Sequence, residues 1–163
     1  MMNKIIKMSC FFALILCFAV GLTSCSRHIP DSNGKNNLAL ESISLQEIIS
    51  GDNCIKSGAS RVRRGDVTDI KVKKFSGVET VHKFQLNGAA LELTVAANVD
   101  SGNFKVLLCN DHEIVKEILV NHGAQTVQIP PMSDTLYLKV AGESASYSLS
   151  FQYDVTMSRS IYI

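Results

Sequence analysis

Residues 145–155 constrain this chain more than any other stretch. Ala145, Tyr147, Leu149, Phe151, Tyr153 and Val155 alternate without a break against Ser146, Ser148, Ser150, Gln152 and Asp154. Successive side chains of a β-strand point to opposite faces, so a period of two marks a strand. One apolar and one polar face place it in an antiparallel sheet buried on one side. Residues 91–99 repeat the pattern, with Leu91, Leu93, Val95, Ala97 and Val99 against Glu92, Thr94, Ala96 and Asn98.

From Val67 onward the whole chain reads this way. Strands are expected over residues 67–75, 78–86, 90–99, 104–109, 114–120, 125–129, 136–141 and 145–155. Turn chemistry separates them: Ser76-Gly77, Asn87-Gly88, Asp100-Ser101-Gly102-Asn103, Asn110-Asp111, Asn121-His122-Gly123, Pro130-Pro131 and Gly142. About eight short strands at such spacing predict an all-β, antiparallel two-sheet sandwich, jelly-roll-like, with a closed barrel as the alternative. No long helical pattern interrupts them, which argues against a parallel α/β fold. Before the strands, Ser44-Leu45-Gln46-Glu47 fits a helix-starting capping box, and Gly51 stops it after one or two turns. A strand over residues 43–49 is the alternative reading there.

The first 24 residues are a different object. Lys4 and Lys7 precede an apolar run over residues 10–20, with no acid, the layout of a secretory signal. Its apolar stretch of about 14 residues falls short of the ~20 that span a bilayer. Leu22-Thr23-Ser24-Cys25 then resembles the lipobox of bacterial lipoproteins. That resemblance implies a cleaved signal peptide over residues 1–24 and a diacylglyceryl thioether on Cys25. It also implies an extracytoplasmic domain held on the cell membrane by acyl chains. Two chains, at ~0.8 kcal/mol per buried methylene, hold stably where one does not. Ser26 is not the Asp that favours inner-membrane retention, which tilts placement to the outer membrane in a two-membrane host. Residues 25–42, polar and punctuated by Pro30 and Gly34, read as a flexible tether; twelve such residues span roughly 20 Å. Residues 43–163 are the domain. Without the signal the chain carries 14 basic and 15 acidic side chains. A near-neutral domain argues against nucleic acid as a partner.

A further likeness lies near the end of the chain. Asp134-Thr135-Leu136-Tyr137-Leu138-Lys139-Val140-Ala141-Gly142, followed by Ser146-Tyr147-Ser148-Leu149-Ser150, resembles the last two strands of bacterial pre-peptidase C-terminal-type sandwiches. These are jelly-roll-like accessory modules of secreted proteins, some similar to carbohydrate-binding modules. The resemblance implies the fold. The acidic motif that holds calcium in some carbohydrate-binding relatives is not visible in this sequence.

Few residues carry chemistry. Cys10 and Cys17 leave with the signal and Cys25 becomes the anchor. Cys54 and Cys109 then remain, either as an extracytoplasmic disulfide or as two separate thiols. A disulfide would close a loop of about 55 residues, worth at most ~4 kcal/mol. His112 and His122 lie in turns at the two ends of an expected strand, too far apart to share a metal; His28 is in the tether and His82 alone in a strand. Motifs for an activated nucleophile, a zinc protease or a phosphate-cradling loop are absent from the sequence. Neither a metal nor a cofactor is expected. Arg61, Arg63 and Arg64 with Lys71, Lys73 and Lys74 form two basic runs. Placed side by side they make a cationic patch for lipid headgroups or an anionic envelope polymer; otherwise they are a solvated strand face that blunts a sheet edge. Arg64-Gly65-Asp66 reads as a glycine turn between two strands rather than as an adhesion tripeptide.

The reading is therefore a membrane-anchored lipoprotein with a non-catalytic binding or structural module. Its expected partners are the membrane, through the lipid, and an anionic envelope polymer, a glycan or a protein. A carbohydrate-binding accessory module is the alternative. It needs exposed aromatic rings, and with no Trp and with Tyr147 and Tyr153 facing inward, only Tyr137 and Tyr162 remain. An envelope hydrolase or metalloenzyme is the third reading.

Overall fold

The computed structural model describes residue 40 and residues 42–157. The expected signal peptide over residues 1–24, Cys25, most of the expected tether and Tyr162 lie outside the described residues. One helix, α1 (Leu45–Ser50), precedes seven strands. These are β1 (Asn53–Ser57), β2 (Ser60–Arg64), β3 (Val67–Gln85), β4 (Ala89–Cys109), β5 (Ile114–Ile118), β6 (Ala124–Met132) and β7 (Thr135–Met157). Every strand pairing is antiparallel. The all-β sandwich of the sequence reading is present, but its layers are built differently.

Four of the expected turns do not reverse the chain. Ser76-Gly77 lies within β3, residues 100–103 within β4, Pro130-Pro131 near the end of β6 and Gly142 within β7. On β3 and β4 the register slips instead, between Val72 and Gly77 and between Val99 and Asn103. Such slips bend a strand and strengthen its twist. Gly77 (φ +110°) and Gly102 (φ +77°) need backbone that other residues adopt at a cost. A Cβ at Gly77 would also strike the Asn53 carbonyl, and one at Gly102 the carbonyls of Glu143 and Ser144. These glycines mark close passage of backbone over backbone.

Because β3, β4 and β7 each bend at the same level, one seven-stranded sheet folds over on itself. The first parts of β3 and β4 and the last part of β7 form a front layer, ordered β2-β3-β7-β4-β6. Their other parts form a back layer, ordered β1-β3-β7-β4-β5. The layers meet in one apolar core. Phe104 stacks on Tyr147 at 4.1 Å, and Phe75 sets its edge against both rings. Leu91, Leu93 and Val95 of the front layer are buried there with Val106, Leu108 and Leu138 of the back. The bend also changes parity in β7: Leu136, Leu138 and Val140 face inward before it, and Ala145, Tyr147, Leu149 and Phe151 after it. An irregularity in register has this effect, since side chains alternate strictly.

The back layer is buried on its outer face as well. Val78, Leu107, Cys109 and Ala141 form a second cluster under Ile48 of α1, with Leu40, Ile43 and Ile114 packed around it. The expected capping box builds that helix: Ser44 Oγ accepts from Glu47 N–H, and the Glu47 carboxylate accepts from Ser44 N–H. At the other end Lys139, only 4% exposed, donates from Nζ to the carbonyls of Ile48 (2.8 Å) and Ile49 (3.3 Å). A cation on the last carbonyls of a helix satisfies acceptors that the helix itself leaves open. Ser42 holds the segment before α1, donating from N and Oγ to Glu143 Oε1.

Candidate functional site

The outer face of the front layer carries no such cover among the described residues. Directly opposed residues of neighbouring strands share a face, so the register writes out its composition. Lys71, Ser148 and Asn98 form one row; Asp69, Ser150, Ala96 and Ala124 the next. Gln152, Thr94 and Thr126 follow, then Asp154, Glu92 and Gln128. The face is polar and its central strands carry short side chains. Thr94 and Thr126 hydroxyls meet at 3.0 Å, and Gln128 Nε2 donates to Glu92 at 3.3 Å. On the β3 side, β2 adds Val62 opposite Asp69, Ser60 opposite Lys71, and Arg64. These larger side chains stand over the low floor of Ala96, Ser148 and Ser150 and make a trough of about 350 Å³. It offers hydroxyl and amide groups along its length, two cations, Arg64 and Lys71, at its rim, and the carboxylate of Asp69.

The six basic residues singled out from the sequence do not form one patch. Arg64 and Lys71 belong to the outer face. Arg61 and Arg63 oppose Ile70 and Thr68 and so lie on the inner side of the same layer. Lys73 and Lys74 sit in the slip between Val72 and Phe75, where the stem of Lys73 lies over Gly58 and Lys74 opposes Ser57. Strand alternation separates neighbours in sequence that a run of charge suggests are together.

Cys54 and Cys109 are not joined, as in the alternative of two separate thiols. Cys54 opposes Gly77, which opposes Gly142, which opposes Phe104. That row crosses three strand spacings of ~4.8 Å, and Cys109 lies five residues further along β4 at ~3.3 Å each. Cys54 also packs against the inner core and Cys109 against the outer cluster. Bridging needs Cα atoms within ~7 Å. Burial pushes both thiols up from their ordinary range.

His112 and His122 fall at opposite ends of β5, as expected. The Asn110 side chain accepts from His112 N–H at 2.9 Å, and His122 Nδ1 lies 2.6 Å from the Val120 carbonyl. The ring of His82 lies 4.7 Å from Phe84 and 4.8 Å from Tyr153. Tyr153 itself corrects an expectation. It is on the inward parity but 37% exposed, because the layers do not cover each other fully at that end. Tyr137, expected as an exposed ring, has the Lys83 amine 5.5 Å above it. Arg64-Gly65-Asp66 is the turn between β2 and β3, with Gly65 at φ +60°.

No known protein family matches the chain, and no curated protein matches it in sequence.

Proposed function

We propose that this protein is a membrane-anchored extracytoplasmic lipoprotein whose β-sandwich is a non-catalytic binding module, and that its ligand is an anionic envelope polymer lying along the uncovered front face. The lipobox-like Leu22-Thr23-Ser24-Cys25 supports the anchor. The observation that carries the binding role is the difference in cover. Among the described residues α1 covers the outer face of the back layer and nothing covers the front face. There Arg64 and Lys71 outnumber the one lining acid, Asp69, and flank a floor of hydroxyl-bearing side chains. Two cations at a rim attract a polyanion, and Ser, Thr and Asn side chains supply adaptable hydrogen bonds to an extended chain.

Cosedimentation of the protein with insoluble anionic envelope polymer tests this reading. The double change Arg64→Glu and Lys71→Glu should reduce the bound fraction at least tenfold at low salt, while Lys116→Glu on β5 should leave it unchanged. Equal binding by all three forms would remove the front face from the account. The anchor is tested apart from the ligand: Cys25→Ala should leave an unprocessed precursor without an acylated N-terminal peptide.

A further inference from the structure

The edge of the sandwich holds a second arrangement that the front face does not use. The chain crosses from β1 in the back layer to β2 in the front layer at Gly58-Ala59. Beneath that crossing a cavity of about 200 Å³ opens between the layers. Ile70, Val72, Val81 and Tyr147 give it apolar walls, and Ser60 and Arg61 stand among its polar lining groups. At ~30 Å³ per water-sized group, it holds a chain of roughly six heavy atoms.

The charged lining groups are Lys56, Arg61 and Glu79, and Arg63 stands two residues from Arg61 on the same face of β2. Arg61 donates from Nη1 to the Val81 carbonyl at 3.1 Å, and Arg63 donates from Nε to the Gly65 carbonyl at 3.1 Å. Each guanidinium is thereby tethered with donors to spare, and neither meets an acid among the described residues. Glu79, which also lines the cavity, is engaged by Lys56. His82 reports the same field: burial first, then Arg61 and Arg63, hold its imidazole below the ordinary range. A guanidinium fork matches a carboxylate or phosphate in geometry as well as in charge.

We propose that this opening is a second binding site, separate from the front face, for a small amphiphilic anion. Its carboxylate or phosphate lies on Arg61 and Arg63, and its short unbranched apolar chain enters the cavity beneath Ala59.

Titration calorimetry on the full chain in neutral phosphatidylcholine nanodiscs tests the site, with hexanoate and hexyl phosphate as probes and glucuronate for comparison. Saturable binding of either hexyl probe is expected, together with weaker binding of glucuronate, which carries the charge without the chain. Arg61→Ala with Arg63→Ala should weaken hexyl-probe binding at least tenfold. Ala59→Leu should weaken it comparably by filling the entrance, at an exposed position where folding is not at stake. Arg64→Ala with Lys71→Ala should leave it unchanged, which separates this site from the front face. Absence of saturation with both hexyl probes, or undiminished binding by either the double arginine variant or Ala59→Leu, would overturn the proposal. Glucuronate binding as tightly as hexanoate would do so as well, because the cavity would then play no part.

Discussion

The two outer faces of this sandwich are built on the same three strands, yet among the described residues one is covered and the other is not. On the back layer, the outward positions of β3, β4 and β7 are Val78, Leu107, Cys109 and Ala141, and α1 covers them. On the front layer, the corresponding positions of the same strands are Asp69, Lys71, Ala96, Asn98, Ser148 and Ser150. Each strand therefore changes character at its bend, from a half buried on both sides to a half with one polar face. The difference shows why a single binary pattern does not describe such a strand. It also locates the surface available to a ligand without assuming what the ligand is.

The largest effect that distinguishes the faces is a truncation beneath the helix. Leu107→Ala removes a side chain only 1% exposed from the outer cluster of the back layer and should cost ~2–5 kcal/mol. Ser150→Ala, at the centre of the front face, should change stability by less than ~0.5 kcal/mol. Denaturant midpoints measure both, and similar values would mean that the faces are not differently buried. A smaller effect sharpens the comparison by loosening the cover alone. Lys139→Met keeps the apolar stem but removes the donor to the last carbonyls of α1, and should cost ~1–3 kcal/mol. It should also speed hydrogen exchange in residues 45–50 without affecting the front layer. A uniform change across both layers would break the assignment of Lys139 to the helix.

The sequence made the sheet legible where one face is buried and the other wet, because alternation then survives intact. Residues 145–155 are the clearest case, and Ala145, Tyr147, Leu149 and Phe151 lie inward as read. Tyr153 was assigned the right side and the wrong environment: parity tells which layer a side chain faces, not how far that layer extends. The bends carry the residues of reversals because glycine with a polar neighbour reports a special backbone or a close approach, and both geometries need that. β1 carries no alternation in Asn53-Cys54-Ile55-Lys56-Ser57, since an edge strand with most residues exposed has no buried face to write one. The capping box at Ser44 was legible because capping is local; its role as part of a cover was not, because the face beneath it is assembled from residues 78, 107, 109 and 141. The basic runs were visible as composition, but their division among three places depends on register.

Among the described residues one outer face is covered by α1 and the other is not, and the uncovered face is the one proposed to take an anionic polymer. Thiol labelling read by peptide mass spectrometry tests both halves in one experiment, using Ser150→Cys on the front face and native Cys109 on the back. In the folded protein Ser150→Cys should label within the time of a free thiol, and saturating anionic envelope polymer should slow it at least tenfold. Cys109, buried beneath α1 with its thiol pushed up by burial, should label only at the rate at which the cover opens, with or without polymer. Labelling of Ser150→Cys that is indifferent to polymer, or labelling of Cys109 as fast as Ser150→Cys, would contradict the account.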